Sequence, residues 1–313
     1  MSSAQPSPTS PAGRVSRRRD VLRKVGRVVA GMVALLLLTV AGALGASEWR
    51  ARKHYSVPEH LFTVPTDSAS ATRGAHLAQV RFCADCHGAD LAGRVMIDEP
   101  AVGRIASANL TNGRPSGALT DADWERAVRH GVRRDGSPLL FMPSHEFAEL
   151  ADEDLGAIVA HARRLPASSA ATPATTAGPV LRALDLAGQV QLHAAALVDH
   201  DRPHRTRFDA EPTVAYGRYL ASTCKGCHGP NLSGGPVPGA PPEWKPAANL
   251  TPAGLGHYRE GDLARVLRTG RRPDGSVVDS IMPWRSTQAL DDVEVRALWE
   301  FLRSVPPRAY GNR

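Results

Sequence analysis

The sequence contains one segment twice. Cys83-Ala-Asp-Cys86-His87 recurs as Cys224-Lys-Gly-Cys227-His228, 141 positions further along the chain. Five shorter matches occur in the same order and at nearly the same offset: Leu91-Ala-Gly93 with Leu232-Ser-Gly234, Asn109-Leu-Thr111 with Asn249-Leu-Thr251, Asp135-Gly-Ser137 with Asp274-Gly-Ser276, Met142-Pro143 with Met282-Pro283, and Leu165-Pro166 with Val305-Pro306. Duplication of one module of about 95 residues explains all of these matches.

Each copy is predicted to be mostly helical. Short helices are expected around 73–82 and 213–223, and Thr120 with Asp123 forms a capping-box pattern before a helix over 124–130. The last helix of each copy has apolar residues on one face at helical spacing, and a proline follows it. Those residues are Leu155, Ile158, Val159, Ala162 and Leu165 in the first copy, and Val295, Leu298, Trp299, Leu302 and Val305 in the second.

The N-terminal region has the pattern of a membrane segment. Residues 28–47 are 20 residues without a charge, and a helix of that length spans about 30 Å, the thickness of a bilayer core. Seven basic residues and one acid precede it, so residues 1–27 are predicted to be a cytoplasmic tail and the rest of the chain to be exported. A signal peptide cleaved after 41–43 is the alternative. We favour the anchor because the apolar run is longer than a usual signal-peptide core.

The basic net charge does not indicate a nucleic-acid partner. The formal net charge is +7, but the first 27 residues hold six of those charges, so the exported part is nearly neutral. The predicted boundaries after the tail are a transmembrane helix over 28–47, a stalk over 48–71, a first domain over 72–166, a linker over 167–211, a second domain over 212–307 and a tail over 308–313. Residues 179–200 of the linker are predicted to contain a connecting helix, with Leu181, Leu184, Leu192 and Leu197 as its apolar stripe.

The cysteine spacing predicts covalent haem attachment. All four cysteines lie in the two Cys-x-x-Cys-His motifs, which is the attachment signature of haem c. A zinc site would need further ligands, a redox dithiol would not need the adjacent histidine, and a disulfide would have to close within one short motif. We therefore expect two haem c groups, attached through Cys83 and Cys86 and through Cys224 and Cys227. The axial iron ligands on the attachment side are then His87 and His228.

Two methionines are the candidates for the opposite axial position. Met142 and Met282 follow their histidines at nearly equal intervals, and a proline follows each of them. Met96 has no counterpart in the second copy, and the histidines of the first copy do not repeat. His/Met ligation gives a low-spin iron with a raised reduction potential and no open position. The pattern therefore predicts an electron carrier and not an enzyme.

Other polar residues are weaker candidates for contacts to the haem. Asn109 and Asn249 could bind the propionates, as could Arg133 or Arg271, and solvated loops are the alternative for these positions. Each axial histidine is expected to donate its second ring hydrogen to a backbone carbonyl. In the first copy the carbonyl of Pro100 is the suggested acceptor.

Both modules resemble class I cytochrome c domains. The order Cys-x-x-Cys-His, Leu-x-Gly, Asn-Leu-Thr, Asp-Gly and Met-Pro, then a helix ending at proline, is similar to the membrane-bound cytochrome c subunits of periplasmic alcohol and aldehyde dehydrogenases. The resemblance covers 72–166 and 212–307. It implies an all-α fold with two such domains in tandem after one N-terminal transmembrane helix. Those subunits often carry three haem modules and a C-terminal anchor, whereas this chain has two modules and an N-terminal segment.

The resemblance implies a partner on each side of the electron path. The donor would be a redox protein such as a periplasmic dehydrogenase, and the acceptor a downstream cytochrome, an oxidase or quinone. The chain would lie in the bacterial cytoplasmic membrane with its haem domains in the periplasm or at the outer face. A free-standing dihaem carrier is an equal alternative. A dihaem peroxidase is a further alternative, but it needs one open haem iron and the repeated methionine argues against that.

Overall fold

The computed structural model describes the backbone of residues 11–241 and 243–312, and the side chains from residue 22 onward within those ranges. The chain divides into two compact units, Met1–Arg50 and Ala51–Arg313. A single long helix, α1 (Pro11–Arg52), makes up the described part of the first unit. Residues 1–10 of the predicted basic tail lie outside the described residues.

The stretch Leu22–Arg52 of α1 is long and apolar enough to cross a membrane, with a mean hydropathy of 2.4 and no buried residues in its apolar window. The predicted transmembrane segment, 28–47, lies inside this stretch. This length and composition near the N-terminus are typical of a membrane anchor or of a signal sequence.

The helices of the second unit follow the duplication. Module 1 (residues 68–164) contains α2 (Ser68–Val80), α3 (Cys83–His87), α4 (Asp121–Glu125), a π-helical turn (Arg126–His130), α5 (Ser144–Phe147) and α6 (Asp152–Arg164). The linker contributes α7 (Pro179–Leu186) and a short 3₁₀ turn (Ala194–Leu197). Module 2 (residues 214–304) contains α8 (Val214–Leu220), a 3₁₀ turn (Ala221–Cys224), α9 (Lys225–His228), α10 (Pro252–Leu255), α11 (Glu260–Thr269), α12 (Trp284–Thr287) and α13 (Asp292–Ser304).

The predicted helix signals agree with these elements. Thr120 accepts a hydrogen bond from the backbone N–H of Asp123, and the Asp123 carboxylate accepts one in return, so the expected capping box is present. Both final helices bury their predicted apolar faces in one core that includes residues of both modules. The predicted fold class, a tandem pair of mainly helical domains after an N-terminal apolar helix, is therefore confirmed.

A small sheet adds to the helices. The strands β1 (Val95–Glu99), β2 (Gly103–Ala106) and β3 (Thr176–Ala177) pair antiparallel in that order. The sequence analysis did not predict these strands. The hairpin β1–β2 lies in the Gly- and Pro-containing region after the first Cys-x-x-Cys-His motif, and β3 comes from the linker. The loop region is therefore held by backbone pairing with a segment that follows the last helix of module 1.

The predicted stalk and linker both pack against module 1. In the stalk, the N–H of Tyr55 donates to Gly136 O at 2.9 Å, and Phe62 and Val64 pack against the main core. In the linker, Leu181 and Leu192 form a second buried cluster with Ile105. Leu197 is exposed, so the predicted leucine stripe of the connecting helix is only partly buried. Both segments are structured parts of the unit rather than free connections.

The first and last helices of each module touch through their backbones. A Cβ atom placed on Gly74 of α2 would lie 1.9 Å from Ala157 O of α6, and one on Gly217 of α8 would lie 1.9 Å from Ala297 O of α13. No side chain larger than hydrogen fits at either position, because real Cβ–oxygen contacts are above 3 Å. The duplicated glycine therefore sets the distance between the two helices in both modules.

We expect Gly217→Ala to lower the free energy of unfolding by about 1–3 kcal/mol. The added methyl group would collide with the backbone of α13 and force the helices apart. Chemical denaturation of the purified protein, followed by circular dichroism, measures this change.

Gly261→Ala is the matched control. A Cβ atom on Gly261 of α11 meets nothing within 4 Å, so alanine there should be neutral or stabilise by up to about 1 kcal/mol through its better helix propensity. If Gly217→Ala and Gly261→Ala changed the free energy of unfolding equally, the close backbone contact would not limit how the first and last helices pack.

Candidate haem sites

The two attachment motifs form short helices with their histidines buried. Cys83, Cys86 and His87 lie on α3, and their counterparts lie at the junction of the 3₁₀ turn and α9. Gly88 and Gly229 end these helices with φ values of 85° and 80°. This left-handed backbone favours glycine and lets the chain turn away directly after the histidine.

Each axial-histidine candidate is fixed by a backbone carbonyl. His87 Nδ1 donates to Ala108 O at 2.8 Å, and His228 Nδ1 donates to Ala248 O at 2.7 Å. The carbonyl can only accept, so each Nδ1 carries a hydrogen and Nε2 is the nitrogen that can bind iron. Burial lowers the pKa of His87, which favours the neutral form that a metal needs.

The predicted hydrogen bond to a carbonyl is confirmed, but Pro100 was the wrong acceptor. Pro100 lies in the turn between β1 and β2, and the chain returns through β2 before Ala108 reaches His87. The sequence did not predict this hairpin, so it could not identify which carbonyl of the loop returns to the histidine.

The loop behind each histidine has the same backbone path in both modules. His87 O accepts from Gly93 N at 2.9 Å, and His228 O accepts from Gly234 N at 2.9 Å. Leu91 and Leu232 are both buried and both have positive φ, 53° and 58°. A left-handed leucine is strained and occurs where the surrounding structure enforces it. The duplicated loop therefore fixes its histidine through a matching strained turn.

The cysteine thiols are half-buried, and among the described residues no disulfide joins them. Burial raises the pKa of both Cys83 and Cys224 to about 12. A reactive redox thiol is therefore disfavoured at both motifs, because the thiolate is the reactive form. Paired cysteines beside a buried histidine fit covalent attachment of a porphyrin.

The two methionines occupy equivalent turns. Met142 O accepts from Ser144 N at 2.9 Å, and Met282 O accepts from Trp284 N at 2.7 Å. The prolines that follow them have nearly equal dihedral angles, φ −80° and ψ 54° in module 1 and φ −78° and ψ 52° in module 2. Both methionines are half-buried just before the short helices α5 and α12. The two turns therefore place the methionines alike, as a shared ligand role requires.

A hydroxyl group holds each methionine turn against the preceding helix. Ser144 Oγ donates to Ala127 O at 2.8 Å, and Thr287 Oγ1 donates to Leu267 O at 2.7 Å. Ser144 and Thr287 are not equivalent residues of the repeat, so each methionine turn is attached to its preceding helix by a different hydroxyl group. Met96, by contrast, packs against the second buried cluster.

Asn109 and Asn249, which occupy matching positions of the repeat, make matching hydrogen bonds to the backbone. Asn109 Nδ2 donates to Ser168 O at 2.7 Å and to Ala170 O at 3.1 Å, and Asn249 Nδ2 donates to Arg308 O at 2.8 Å. Each side-chain oxygen accepts from the threonine two residues on. Both asparagines thus tie their loop to the segment after the module's last helix. A propionate contact by Asn109 would have to replace one of these bonds.

The arginines suggested for propionates also bind their own turns. Arg133 and Arg272 are the equivalent pair, since their N–H groups donate to Ser137 O and Ser276 O at 2.8 Å. Both guanidinium groups donate to carbonyls in the same turns. Arg272, and not the suggested Arg271, is therefore the counterpart of Arg133, as the Asp135/Asp274 match of the repeat also requires.

The two modules meet across a pseudo-two-fold interface. Arg81 and Ser222 each lie two residues before the first cysteine of their motif, and Arg81 donates to Ser222 Oγ at 3.3 Å and to Tyr219 O at 2.9 Å. Its guanidinium also lies 4.1 Å from the centre of the Tyr219 ring. Contact between a residue and its own counterpart places both on the axis, as in a symmetric dimer.

The attachment motifs lie at this interface. Ser286 Oγ donates to Asp85 Oδ1 at 2.6 Å, and the equivalent pair, Gly226 and Glu146, is also in contact. A Cβ atom on Gly226 would lie 2.2 Å from Glu146 Oε1. Each Cys-x-x-Cys-His motif therefore touches the segment that follows the other module's methionine.

Two further contacts obey the same symmetry. His76 Nε2 lies 2.9 Å from the Glu294 carboxylate, which joins α2 to α13. Tyr219 OH donates to Asp154 Oδ2 at 2.6 Å, which joins α8 to α6. The sequence analysis did not find these interface residues, because equivalent positions carry different residue types and give no repeat signal.

The architecture and the duplicated histidine sites define the class of the protein. Residues 214–306 match the family model described as Cytochrome c, and residues 69–161 match the one described as Cytochrome C oxidase, cbb3-type, subunit III. The chain therefore belongs to the cytochrome c family and contains two cytochrome c domains.

The chain is similar to cytochrome subunits of dehydrogenases. It is 30% identical to the cytochrome c subunit of the quinone alcohol dehydrogenase of Gluconacetobacter polyoxogenes, over 78% of this chain and 58% of the relative. It is 30% identical to the fructose dehydrogenase cytochrome subunit of Gluconobacter japonicus, over 79% and 56%. It is 28% identical to the gluconate 2-dehydrogenase cytochrome c subunit of Pantoea cypripedii, over 76% and 60%. The chain thus spans a little over half the length of these relatives.

Glu146 gives the interface a measurable pH dependence. Burial raises its pKa to about 7. A carboxyl group with a raised folded-state pKa destabilises the fold once the pH exceeds its unfolded-state pKa, and the full cost is present above the folded-state pKa. We expect the wild type to lose about 2–3 kcal/mol of stability through this group between about pH 5 and pH 8.

Glu146→Gln should remove the loss of stability that Glu146 causes between about pH 5 and pH 8, because glutamine stays neutral. Glu300→Gln is the control, since Glu300 is exposed on α13 and its removal should leave the pH profile unchanged. Denaturant unfolding of the haem-loaded protein at the two ends of this pH range measures the difference. Parallel profiles for the wild type and Glu146→Gln would contradict the assignment.

Proposed function

We propose that the chain is a dihaem electron carrier that moves electrons outside the cytoplasmic membrane, from a dehydrogenase to a respiratory acceptor. The duplicated histidine geometry is the observation that carries this proposal. Both histidines have their Nδ1 atoms fixed to a carbonyl, at 2.8 and 2.7 Å, and both follow a paired-cysteine motif. Two equal sites in tandem are suited to relaying electrons rather than to binding a substrate.

Each module would hold one haem c through its own residues. Cys83, Cys86 and His87 would bind one group, with Met142 as the other axial ligand. Cys224, Cys227, His228 and Met282 would hold the second. The bound groups supply reversible one-electron chemistry at iron, and His/Met ligation leaves no open position for peroxide. The chain's own residues fix each histidine, close the methionine turn and limit access of water.

The interface supports transfer between the two modules. Asp85 and Gly226, which lie inside the attachment motifs, contact Ser286 and Glu146 of the opposite module. Each attachment motif therefore lies against the opposite module, on both sides of the pseudo-two-fold axis. An electron entering at one module would reach the other without rearrangement of the domains.

The donor is proposed to be a dehydrogenase because the relatives are dehydrogenase cytochrome subunits. The apolar helix α1 is proposed to hold the carrier at the membrane surface, near an acceptor such as quinone, a further cytochrome or an oxidase. The chain covers 58% of the alcohol dehydrogenase subunit, so this partner is inferred from the aligned cytochrome domains alone.

Methionine substitution tests the ligation. Met142→Ala and Met282→Ala should each remove about half of the weak far-red band of the oxidised protein, which reports iron–methionine bonds. Each variant should also lower the reduction potential of one haem, because the methionine ligand raises it. Absorption spectra and potentiometric titration of the purified, haem-counted protein measure both effects.

Met96→Ala is the control, since Met96 packs in a separate cluster. It should keep the full band and both potentials. A full band in Met142→Ala or Met282→Ala would reject that residue as a ligand. A high-spin haem in the wild type, with rapid oxidation by peroxide, would favour the peroxidase alternative.

Transfer from a dehydrogenase is tested in membranes of the source bacterium. Removal of this chain should abolish oxygen consumption driven by at least one alcohol, aldehyde or sugar, while dehydrogenase activity with an artificial dye remains. Restoration by the full chain, and not by the Met142→Ala variant, would support the electron path. Unchanged respiration on all of these substrates would contradict a dehydrogenase partner.

A further inference from the structure

Module 1 carries a polar cluster that the haem function does not use. His130, His200, His204 and His60 surround Glu125 on the side of the module that faces the linker. Two of these residues belong to module 1, and the other three come from the stalk and the linker. We call this group the histidine cluster.

The π-helical turn brings two of its members together. Glu125 ends α4 and His130 ends the turn Arg126–His130, and a π-helix places residues five apart on the same face. Their equivalents in α11 are Ala264 and Thr269, and α11 is α-helical throughout. Local departures of this kind occur frequently at functional sites.

Three ligand atoms converge in the cluster. His130 Nε2 lies 3.1 Å and His204 Nε2 lies 3.3 Å from Glu125 Oε1, and the three atoms all lie within 4.8 Å of one another. Glu125 and His130 are almost completely buried, and the His204 side chain is only 7% exposed. The linker supplies His204, so the cluster forms only because the linker packs on module 1.

The hydrogen-bond pattern of the cluster requires an extra positive charge. His200 Nε2 lies 3.1 Å from Ala195 O, which can only accept, so His200 Nε2 carries a hydrogen and neutral His200 accepts at Nδ1. His130 Nδ1, 2.9 Å away, must then be the donor. A neutral His130 therefore points the lone pair of Nε2 at the Glu125 carboxylate, and two acceptors 3.1 Å apart repel each other.

We propose that a divalent transition-metal ion of the zinc type binds between Glu125 Oε1, His130 Nε2 and His204 Nε2. Two imidazoles and one carboxylate are a known ligand set for zinc. Ligand atoms about 2.0–2.1 Å from a tetrahedral ion lie about 3.3 Å apart, which agrees with the two distances to Glu125 Oε1. The ion replaces the unfavourable contact between acceptors with two bonds.

The neighbouring groups orient the ligands as in other metal sites. His130 donates its other ring hydrogen to His200, which is itself fixed by Ala195 O. The His60 ring packs edge-on against His204, with ring centres 4.8 Å apart, and its Nε2 lies 2.9 Å from Asp152 Oδ1. These contacts hold both imidazole planes before an ion arrives.

Charge near the cluster does not exclude a cation. The Arg129 guanidinium lies 3.7 Å from Glu125 Oε1, but it donates to Leu150 O and, at 2.7 Å, to Asp152 Oδ1. Its counterpart Arg268 makes the same contact to Asp292 in module 2, so this arginine belongs to the shared fold. Glu125 and Asp152 together exceed Arg129 by one negative charge. Beside His204, Arg202 is paired with Glu149 and the Arg205 guanidinium lies over the Phe208 ring.

A small cavity lies beside one of the proposed ligands. It has a volume of about 50 Å³, touches His204 and is lined by Ala148, Glu149, Arg202, Arg205 and Phe208. It is large enough for a water molecule, which needs about 10–15 Å³, but Glu125 and His130 do not line it. The protein therefore supplies three ligands to the proposed ion.

Equilibrium dialysis against Zn²⁺ tests the proposal. The full chain, without an affinity tag and with both haems bound, should take up one zinc per chain. His204→Gln should bind zinc at least about tenfold more weakly, since one ligand is lost. Glu125→Ala/His130→Thr should lose the site, and it carries the residues that module 2 has at these positions, so the helix should still fold.

His257→Gln is the control, because His257 is exposed in module 2 and the variant should bind zinc like the wild type. Zinc should also raise the melting temperature of the wild type and of His257→Gln but not of His204→Gln. Absence of zinc uptake by the wild type would overturn the proposal. Equal affinity of the wild type and His204→Gln would also overturn it.

Discussion

The backbone contact between the first and last helices of each module is the constraint on which the rest of the structure depends. Glycine at positions 74 and 217 lets α2 and α8 approach the carbonyls of Ala157 and Ala297 without an intervening side chain. The attachment motif begins only a few residues after each first helix, so this crossing fixes where the histidine starts its turn. The loop then returns a carbonyl behind that histidine at nearly the same distance in both modules.

Duplication also explains how the modules fit together. A repeated surface can pair with its own copy about a two-fold axis, as identical subunits do. The contact of Arg81 with Ser222 marks that axis, and the side chains around it have since diverged. Asp85 uses a hydrogen bond to Ser286 where the other half has Gly226 against Glu146. The backbones of the two modules therefore keep the pseudo-two-fold arrangement, while the side chains at the interface make different polar contacts in each module.

The sequence predicted the features that depend on local spacing. The duplicated motifs, the capping box at Thr120, the final helices and the matched methionines all follow from short-range pattern. It could not predict which carbonyl meets His87, because that depends on a hairpin stabilised by a distant linker strand. The histidine cluster was also missed, since His204 lies far from His130 along the chain and only the packed linker joins them. Contacts between distant, non-repeating residues leave no periodic signal.

The interface couples the two attachment motifs. Asp85 and Gly226 lie between the two cysteines of their motifs, and each contacts the segment that follows the methionine of the opposite module. A change in either methionine turn therefore reaches the attachment motif of the other module through a direct contact. The two halves of the repeat are thus joined beside the residues that would hold their cofactors, as well as through the apolar core that they share.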